Sequence, residues 1–372
     1  MRLDINIGIV GTGLIGLTHL FALKTIKKEK LLSKNDLNIK IQGAADIDET
    51  KLNKLRLKNA YNIEYYTTNP EDIINDKEIN VVYIATPTKF HKEYFLKAAE
   101  QGKDIFCEKP LAFSLEDIRE LISAVKKYGI FSQVGLVLRH CPVIWKMKQI
   151  LEENVEVFGK VLSFIFRDTQ DWPIGTSIHR SEWRKYPSFA HGGSLFEHSI
   201  HDIDVLEYLF GDQKSLSKIF AKIRYVSPLS QGKLEDVAAL NLEYKDGLVG
   251  NLISIWNKAK MDERCIEIFF EEGYLNVDSY IPPFFKKFEY LVGRKKKRLN
   301  LEGITEEYLK SKNYPKMNLN TGPYLYENLS FLKSIINEEP PYPSLEIGYR
   351  THEIIELAYQ SSRENRVISL NY

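Results

Sequence analysis

The chain has 372 residues, of which 44% are hydrophobic and 27% charged, a composition typical of globular proteins. Its length exceeds that of one ordinary hydrophobic core, so we expect two domains. The 51 Lys and Arg residues nearly balance the 50 Asp and Glu residues, giving a formal charge of +1. This balance offers no electrostatic reason to expect nucleic acid or a membrane surface as a partner, and we expect a small molecule instead.

The cysteines and the hydrophobic runs indicate the cellular compartment. Cys107, Cys141 and Cys265 lie far apart and match neither a zinc nor a redox spacing. The first residues contain no basic segment typical of a signal peptide, and no apolar run reaches the roughly 18 residues of a membrane helix. We therefore expect a cytoplasmic protein without a disulfide framework.

Strand and helix patterns alternate along the first third of the chain. Short apolar runs predict buried strands at 5–10, 39–45, 81–85 and 105–107. Helical spacing predicts helices at 14–23, 90–101 and 115–128. The last of these helices has Ser114 as a candidate N-cap and Gly129 as a stop signal. The alternation predicts a doubly wound parallel sheet, a Rossmann domain over 1–137.

The pattern changes after about residue 137. Strand patterns follow one another at 161–167, 216–223, 237–244, 249–256 and 265–270, several of them separated by turn signals. Helical patterns at 195–210 and 324–337 are expected to cover one face, and a last helix is expected at 346–364. We predict an α+β domain over 138–372 with a large, mostly antiparallel open sheet, so the chain is of the α/β class. The basic run 294–298 is interpreted as a solvated loop, with phosphate binding as the alternative.

A glycine-rich loop joins the first strand to the first helix. It consists of Gly11, Thr12, Gly13, Leu14, Ile15 and Gly16. Gly11 permits a tight turn, Gly13 lets the backbone approach a pyrophosphate, and Gly16 allows close packing of helix and strand. The helix N-terminus would then face the phosphates. In this position the loop favours dinucleotide binding over a glycine turn without a ligand.

Asp46 ends the second predicted strand and is the candidate ligand of the adenosine ribose hydroxyls. It lies further from the glycines than the usual ~20 residues, and the stretch 24–40 is interpreted as a helix extension with a loop insertion. A carboxylate here repels a 2′-phosphate, so NAD is favoured over NADP. Lys51 keeps NADP open.

Two further clusters could carry chemistry. Glu108, Lys109 and Pro110 follow a strand at its carboxyl end, where ligands bind in doubly wound sheets, and a lysine there could stabilise an alkoxide. An ordinary surface Glu–Lys pair is the alternative. In the segment 192–204, helical spacing predicts that Glu197 orients His201 and that His198 pairs with Asp202. Surface ion pairs or a metal site remain alternatives, although no further ligand set supports a metal, and we expect none.

With these motifs in this order, the chain resembles the Gfo/Idh/MocA (glucose–fructose oxidoreductase/inositol dehydrogenase) family. The resemblance covers nearly the full length and depends on the segments INIGIVGTGLIG, VVYIATPTKFHKEYFLKAAEQGKDIFCEKPLAF and GGSLFEHSIHDIDVLEYLFG. It implies hydride transfer between a nicotinamide cofactor and a hydroxyl carbon of a sugar, cyclitol or sugar nucleotide. It also implies pairing into a homodimer or homotetramer through the C-terminal sheet.

The resemblance assigns roles to particular residues. Lys109 is expected beside the reacting carbon and His201 as the general acid/base, with Glu197 where the family usually has aspartate. The cofactor is expected to contact Ala85, Thr86, Pro87, His91, Glu108 and Arg139 in addition to the glycine loop and Asp46. Trp183 and Arg184 match an element that often lines the active site.

The substrate itself does not follow from the sequence. The region 168–191 is rich in aromatic and hydrogen-bonding residues, which suits a carbohydrate. It includes Trp172, His179 and Arg180, and Trp172 and His198 are weaker substrate candidates. Three other functions remain open: a redox-neutral NAD-dependent glycoside hydrolase, a non-catalytic cofactor-binding regulator, and a metal-dependent hydrolase.

Overall fold

The computed structural model describes residues 4–32, 38–153, 155–174, 181–211, 215–228, 232–258, 262–281, 284–315 and 322–370. These residues form two compact units. The first contains the described residues of Met1–Leu136 and Pro323–Arg350, and the second those of Val137–Gly322 and Thr351–Tyr372.

The first unit is built on a six-stranded parallel sheet. Its strands are β1 (Asp4–Val10), β2 (Asn38–Ala45), β3 (Ile63–Thr67), β4 (Val81–Ile84), β5 (Asp104–Glu108) and β6 (Ser132–Gly135). They lie in the order β3-β2-β1-β4-β5-β6, and every pairing is parallel. This is the doubly wound order, in which the chain reverses direction between β1 and β4 and leaves a ligand crevice at their carboxyl ends. The predicted Rossmann fold is confirmed.

Helices connect these strands. They are α1 (Leu14–Lys28), α2 (Glu49–Lys58), α3 (Pro70–Asn75), α4 (His91–Glu100) and α5 (Leu115–Tyr128). The caps of α5 are those expected: Ser114 accepts a hydrogen bond from the Asp117 N–H, and Gly129 ends the helix at φ +64°. Helix α2 was not predicted, because its ten residues bury only Leu52 and Leu55 and show little apolar periodicity.

The second unit is built on a nine-stranded sheet. Its strands are β7 (Val161–Asp171), β8 (Leu216–Arg224), β9 (Val237–Tyr244), β10 (Val249–Asn257), β11 (Glu263–Phe270), β12 (Gly273–Ile281), β13 (Phe284–Val292), β14 (Lys295–Arg298) and β15 (Ile368–Ser369). They lie in the order β14-β13-β12-β11-β7-β10-β9-β8-β15. Only the β7–β10 pairing is parallel among those described. The predicted, mostly antiparallel sheet is confirmed.

Helices cover one face of this sheet. The helices after β6 are α6 (Pro142–Glu153), α7 (Val155–Phe158), α8 (Pro187–Ala190), α9 (Ile200–Leu206), α10 (Leu301–Ser311), α11 (Gly322–Asn337) and α12 (Leu345–Glu364). Of these, α11 from Pro323 onward and α12 as far as Arg350 belong to the first unit. Alternate strand residues such as Phe164, Phe166 and Leu252 are buried in a core shared with Ile200 and Ile203 of α9. Two π-helical turns, Ser194–His198 and Glu207–Gly211, flank α9. The predicted helix at 195–210 is therefore interrupted.

Two predictions about the second half require correction. The basic run 294–298 is not a loop, since Lys295–Arg298 forms the exposed edge strand β14 paired with β13. A charged edge strand resists pairing with other chains, which explains the run without a phosphate ligand. The helix expected at 324–337 packs in the first unit, because Pro323–Arg350 returns to the Rossmann sheet. The chain therefore passes between the two units three times, at 136/137, 322/323 and 350/351, and not once at the predicted 137/138.

Among the residues that the structure describes, no helix is both long and apolar enough to cross a bilayer.

Candidate active site

The glycine loop has the geometry that its sequence predicts. Gly11 adopts φ +96°, and a Cβ there would lie 2.4 Å from the Ala85 carbonyl oxygen. A Cβ at Gly16 would lie 2.0 Å from the Gly11 carbonyl oxygen, so only glycine permits this close packing. No described atom lies within 4 Å of a Cβ placed on Gly13. Helix α1 begins directly after Gly13 with no acidic residue in its first turn, which suits an anionic ligand.

Asp46 is tied to this loop. Its Oδ2 accepts hydrogen bonds from the Thr12 N–H (2.8 Å) and the Thr12 hydroxyl (2.9 Å). Its Oδ1 accepts from the Asp48 N–H at 3.0 Å and lies 3.3 Å from Lys51 Nζ. The carboxylate is thus hydrogen-bonded to the glycine loop at the end of β2, and the Lys51 ammonium lies next to it. Both features bear on the choice between NAD and NADP.

Glu108 and Lys109 end β5 in the same sheet. The Glu108 carboxylate is buried, with Oε1 2.9 Å from His19 Nε2 and Oε2 accepting from the Lys109 N–H at 3.2 Å. His19 lies on α1, and its Nδ1 is 2.9 Å from the Asn328 amide nitrogen on α11. The interpretation of Glu108 and Lys109 as an ordinary surface pair is therefore wrong for Glu108.

The segment after β4 carries the other predicted cofactor contacts. The Thr86 hydroxyl is buried and has no hydrogen-bond partner among the described residues, so it is suited to a ligand. His91 is buried, with Nδ1 2.7 Å from the Pro110 carbonyl oxygen and Nε2 2.9 Å from the Thr86 carbonyl oxygen. Burial lowers the pKa of His91, although both carbonyl groups oppose this. Both nitrogens face carbonyl oxygens and the neutral ring donates to one of them, so the ring supports the loop from within the protein.

In the second unit, a buried carboxylate holds the start of the predicted helix motif. Glu235 accepts hydrogen bonds from the N–H groups of Gly193 (2.6 Å), Leu195 (3.1 Å) and Phe196 (3.2 Å) and from the Tyr359 hydroxyl (2.8 Å). Burial raises the pKa of Glu235, and these donors oppose the rise. A Cβ at Gly193 would lie 1.9 Å from the Glu235 carbonyl oxygen, which explains a glycine there.

Glu197 has a partner that the spacing did not predict. Its buried carboxylate lies 3.2 Å from Arg184 Nε, and the Arg184 guanidinium stacks 4.4 Å above the Trp183 ring. The regular helix on which the Glu197–His201 spacing depended is interrupted, since the π-helical turn ends at His198 and α9 begins at Ile200. His201 itself lies in the first turn of α9 and is 9% exposed. Orientation of His201 by Glu197 stays a prediction.

His198 and Asp202 belong to a larger cluster than the predicted pair. Arg264 on β11 donates from Nε to Asp202 (2.6 Å) and from Nη2 to Asp168 (2.6 Å), and all three side chains are buried. His198 Nε2 lies 3.0 Å from Asp168 Oδ2. Burial and the neighbouring Asp168 raise the pKa of Asp202 to about 7 against the opposing effect of Arg264. With its pKa raised to about 7, Asp202 is protonated in a large fraction of the molecules near neutrality.

Arg139 and Trp172 have other partners than those predicted. The Arg139 guanidinium forms a two-pronged ion pair with buried Asp204, with Nε and Nη2 each 2.8 Å from Oδ1. Arg139 is thus engaged within the second unit, and its contact with the cofactor stays a prediction. Trp172 is 2% exposed and packs on Trp256 at 4.8 Å, so its indole belongs to the core. His179 and Arg180 lie outside the described residues.

A metal site built from the residues 197–204 finds no support in the described part of the chain. Among the described residues, the group whose ligand atoms lie close enough together to hold a metal is His19, Glu108 and Glu327, in the first unit. Its His19–Glu108 contact is a hydrogen bond that needs no metal.

Two family models match this chain. One describes an oxidoreductase family with an NAD-binding Rossmann fold and matches residues 5–136. The other describes the C-terminal α/β domain of the same family and matches residues 152–370. The chain belongs to the Gfo/Idh/MocA oxidoreductase family. The expectation from the glycine loop and from the two later motifs is confirmed at this level.

Two relatives and one solved structure extend the comparison. The uncharacterized oxidoreductase YrbE of Bacillus subtilis is 28% identical over 284 residues, 76% of each chain. The myo-inositol 2-dehydrogenase of Thermotoga maritima is 25% identical over 367 residues, 98% of each chain. A levoglucosan dehydrogenase solved in complex with NADH and L-sorbose has a TM-score of 0.81 at 23% identity, covering 100% of both chains. This last similarity shows that the fold is shared.

Proposed function

We propose that this oxidoreductase transfers a hydride between NAD and a hydroxyl carbon of a sugar, cyclitol or sugar nucleotide. The observation that carries the proposal is the placement of Lys109. It follows β5 directly, at the carboxyl edge of the sheet whose first strand leads into the glycine loop. The names of two relatives, a myo-inositol dehydrogenase and a levoglucosan dehydrogenase, agree with this substrate class.

The residues of the first unit fit a dinucleotide. The N–H groups at the start of α1 suit the pyrophosphate, the space in front of Gly13 admits it, and the Thr86 hydroxyl is available to a ligand. When bound, NAD supplies the hydride acceptor for alcohol oxidation or, reduced, the hydride donor. Asp46 favours NAD because its carboxylate repels a 2′-phosphate. Lys51, 3.3 Å away, weakens that repulsion, so some use of NADP is expected as well.

Two side chains are proposed to act on the substrate alcohol. His201 accepts the hydroxyl proton during oxidation, a task for which imidazole is the most common general base in enzymes. Lys109 stabilises the negative charge that develops on the substrate oxygen and fixes the position of the alcohol. Glu197, held by Arg184, keeps His201 oriented, and a glutamate there keeps the charge of the aspartate that is usual in the family. His198 and the Arg184–Trp183 pair are proposed to contact the substrate.

The test is NADH absorbance of the purified protein with NAD and a panel of sugars, inositols and nucleotide sugars. Growth of the 340-nm band with one compound establishes the activity and names its substrate class. Substitution of Lys109 by Met or of His201 by Asn should then lower kcat far more than NAD affinity. Turnover like that of the wild type in both variants contradicts the assignment. NAD binding combined with sugar cleavage and no net NADH indicates the redox-neutral hydrolase instead.

We also propose a homo-oligomer that pairs through the open face of the nine-stranded sheet. Val249 is 48% exposed and Ile165 40% exposed on the strands β10 and β7 at the centre of the sheet. Exposed apolar side chains grouped on a broad sheet face are typical of a surface that another copy covers. Light scattering of the purified protein decides between monomer, dimer and tetramer.

A further inference from the structure

Lys109 lies between two residues that buried histidines hold in place. On one side His19 contacts the Glu108 carboxylate at 2.9 Å, and on the other His91 contacts the Pro110 carbonyl oxygen at 2.7 Å. Neither histidine was assigned such a role from the sequence: His19 was not singled out, and His91 was expected to contact the cofactor.

The hydrogen bonds around His19 determine which of its ring nitrogens carries the proton. The Asn328 amide donates to His19 Nδ1 at 2.9 Å, and the same amide nitrogen donates to the Tyr324 carbonyl oxygen at 2.8 Å. Because Nδ1 accepts, the neutral ring carries its proton on Nε2 and donates it to Glu108. Phe106, with its ring centroid 4.7 Å from that of His19, packs against the imidazole.

The Glu108 carboxylate passes this restraint to Lys109. Its Oε2 accepts a hydrogen bond from the Lys109 N–H at 3.2 Å. A Cβ on Gly135 of β6 would lie 2.7 to 2.9 Å from the atoms of this carboxyl group, so the carboxylate occupies space that only a glycine leaves open. The side chain therefore has one position, set by His19 on one oxygen and by the lysine backbone on the other.

His91 acts on the opposite side of Lys109. Its ring lies between the carbonyl oxygens of Pro110 and Thr86, at 2.7 and 2.9 Å, and donates its one N–H to one of them. His91 itself follows β4, so the ring packs the segment after β5 against the segment after β4. His19 in turn connects Glu108 to α1, the helix that begins at the glycine loop. The backbone of Lys109 is thus fixed against both segments that are proposed to contact NAD.

We propose that His19 and His91 are positioning residues that fix the backbone of Lys109 relative to the dinucleotide site. This inference deepens the proposed function, because it assumes that Lys109 acts on the substrate. Displacement of a catalytic group by about 1 Å can cost on the order of 10²-fold in rate. Loss of either restraint should therefore slow hydride transfer while leaving the phosphate-binding loop intact.

The experiment compares His19→Ala with His19→Gln. Glutamine offers an N–H to Glu108 and an oxygen to Asn328, so it should retain most of the activity. His19→Ala should lower kcat by about 10- to 100-fold with little change in the KM for NAD. The isotope effect with a substrate deuterated at the oxidised carbon should rise, because hydride transfer becomes more nearly rate-limiting. Leu23→Ala, buried on the same helix, is the control for loss of stability alone.

A second measurement does not depend on turnover. Acetylation of Lys109 by a limiting reagent, followed by mass spectrometry, reports the accessibility and nucleophilicity of its amine. His19→Ala should change the Lys109 rate at least severalfold, while His19→Gln and Leu23→Ala should match the wild type. If His19→Ala does not fold, Asn328→Ala, which removes the donor to Nδ1, should change kcat and labelling in the same direction.

The outcomes separate this inference from the proposed function. A wild type that reduces no NAD across the panel contradicts the proposed function, and the labelling experiment still tests the positioning of Lys109. An active wild type whose His19→Ala and Asn328→Ala variants keep both kcat and Lys109 labelling overturns the inference. A loss of kcat that Leu23→Ala reproduces to the same extent also overturns it, because the effect is then one of stability.

Discussion

Replacement of Asp202 by Asn should make the second unit more stable, and the gain should grow with pH. Burial and Asp168 raise the pKa of Asp202 from 3.8 to about 7. Between these values the folded state holds a proton that the unfolded chain has lost, so stability falls as the pH rises toward 7. At 1.36 kcal/mol per pH unit, ionisation of Asp202 lowers the free energy of unfolding of the wild type by about 4 kcal/mol in full. About 3 kcal/mol of this loss occurs between pH 5 and pH 8.

Asparagine suits this position because it imitates the protonated acid. Its oxygen can accept from Arg264 Nε as Asp202 Oδ1 does, at 2.6 Å. Its amide N–H can serve the neighbouring Asp168, where the shared proton of the acid pair lies. Asp168 then remains as the one counter-charge of Arg264, 2.6 Å from Nη2. The variant thus removes the ionisation without leaving a buried charge unpaired.

The assay is urea unfolding followed by tryptophan fluorescence at pH 5, 6, 7 and 8. All four tryptophans, at positions 145, 172, 183 and 256, belong to the second unit, so the signal reports on that unit. Asp246→Asn, in the exposed turn between β9 and β10, is the control for removal of one carboxylate. The reasoning is refuted if the free energy of unfolding of Asp202→Asn exceeds that of the wild type by the same amount at every pH, or if the variant is the less stable protein at pH 8.

Three further predictions follow from the contacts. Arg139→Met should cost about 3 to 5 kcal/mol in urea unfolding, because it leaves Asp204 buried without its cation, and Asp204→Leu in the same chain should recover part of the loss. A double variant that is no more stable in urea than Arg139→Met would contradict the ion-pair explanation. Gly13→Val should keep the wild-type Tm but weaken NAD binding by at least roughly tenfold in titration calorimetry. Gly16→Ala should lower both the Tm and the affinity for NAD, because its Cβ would lie 2.0 Å from the Gly11 carbonyl oxygen. Equal Tm losses in the two variants would show that the loop is only structural. Ile165→Asp on the open sheet face should reduce the mass in light scattering to that of the 43.2 kDa chain, while Leu57→Asp, at an 86% exposed residue of α2, should leave the oligomer intact. An unchanged mass for Ile165→Asp would place the interface elsewhere.

Local patterns were sufficient for the parts of the fold with strong periodicity. The strands β1, β2, β4 and β5, the glycine turn and the capped helix α5 each depend on residues close together in the chain, and each was predicted from them, whereas β3 and β6 were not. The short polar helix α2 and the edge strand β14 were not. Their sequences carry little apolar periodicity, and they exist because longer neighbours hold them.

The return of Pro323–Arg350 to the first unit also escaped prediction. Its helix α11 has an ordinary apolar pattern, which shows that the helix is buried but not which sheet buries it. That choice depends on packing between elements separated by about 200 residues in the chain. Apolar periodicity does not specify which of these elements a helix packs against.

For the candidate site, the sequence by itself determined which residue types stand at the ends of strands, namely the glycine loop, Asp46 and Lys109, and that His201 lies in the segment 192–204. The first three follow from local geometry, since the carboxyl end of a parallel strand is a binding edge wherever the strand lies in the sheet. Only the tertiary structure decided which side chains hold these segments in place. His19 with Glu108 and Asn328, Glu235 with the N–H groups after Gly192, and Arg264 with two aspartates are contacts across 39 to 309 residues of chain. A buried charge or amide must find a partner in space, and its position along the chain does not specify which one.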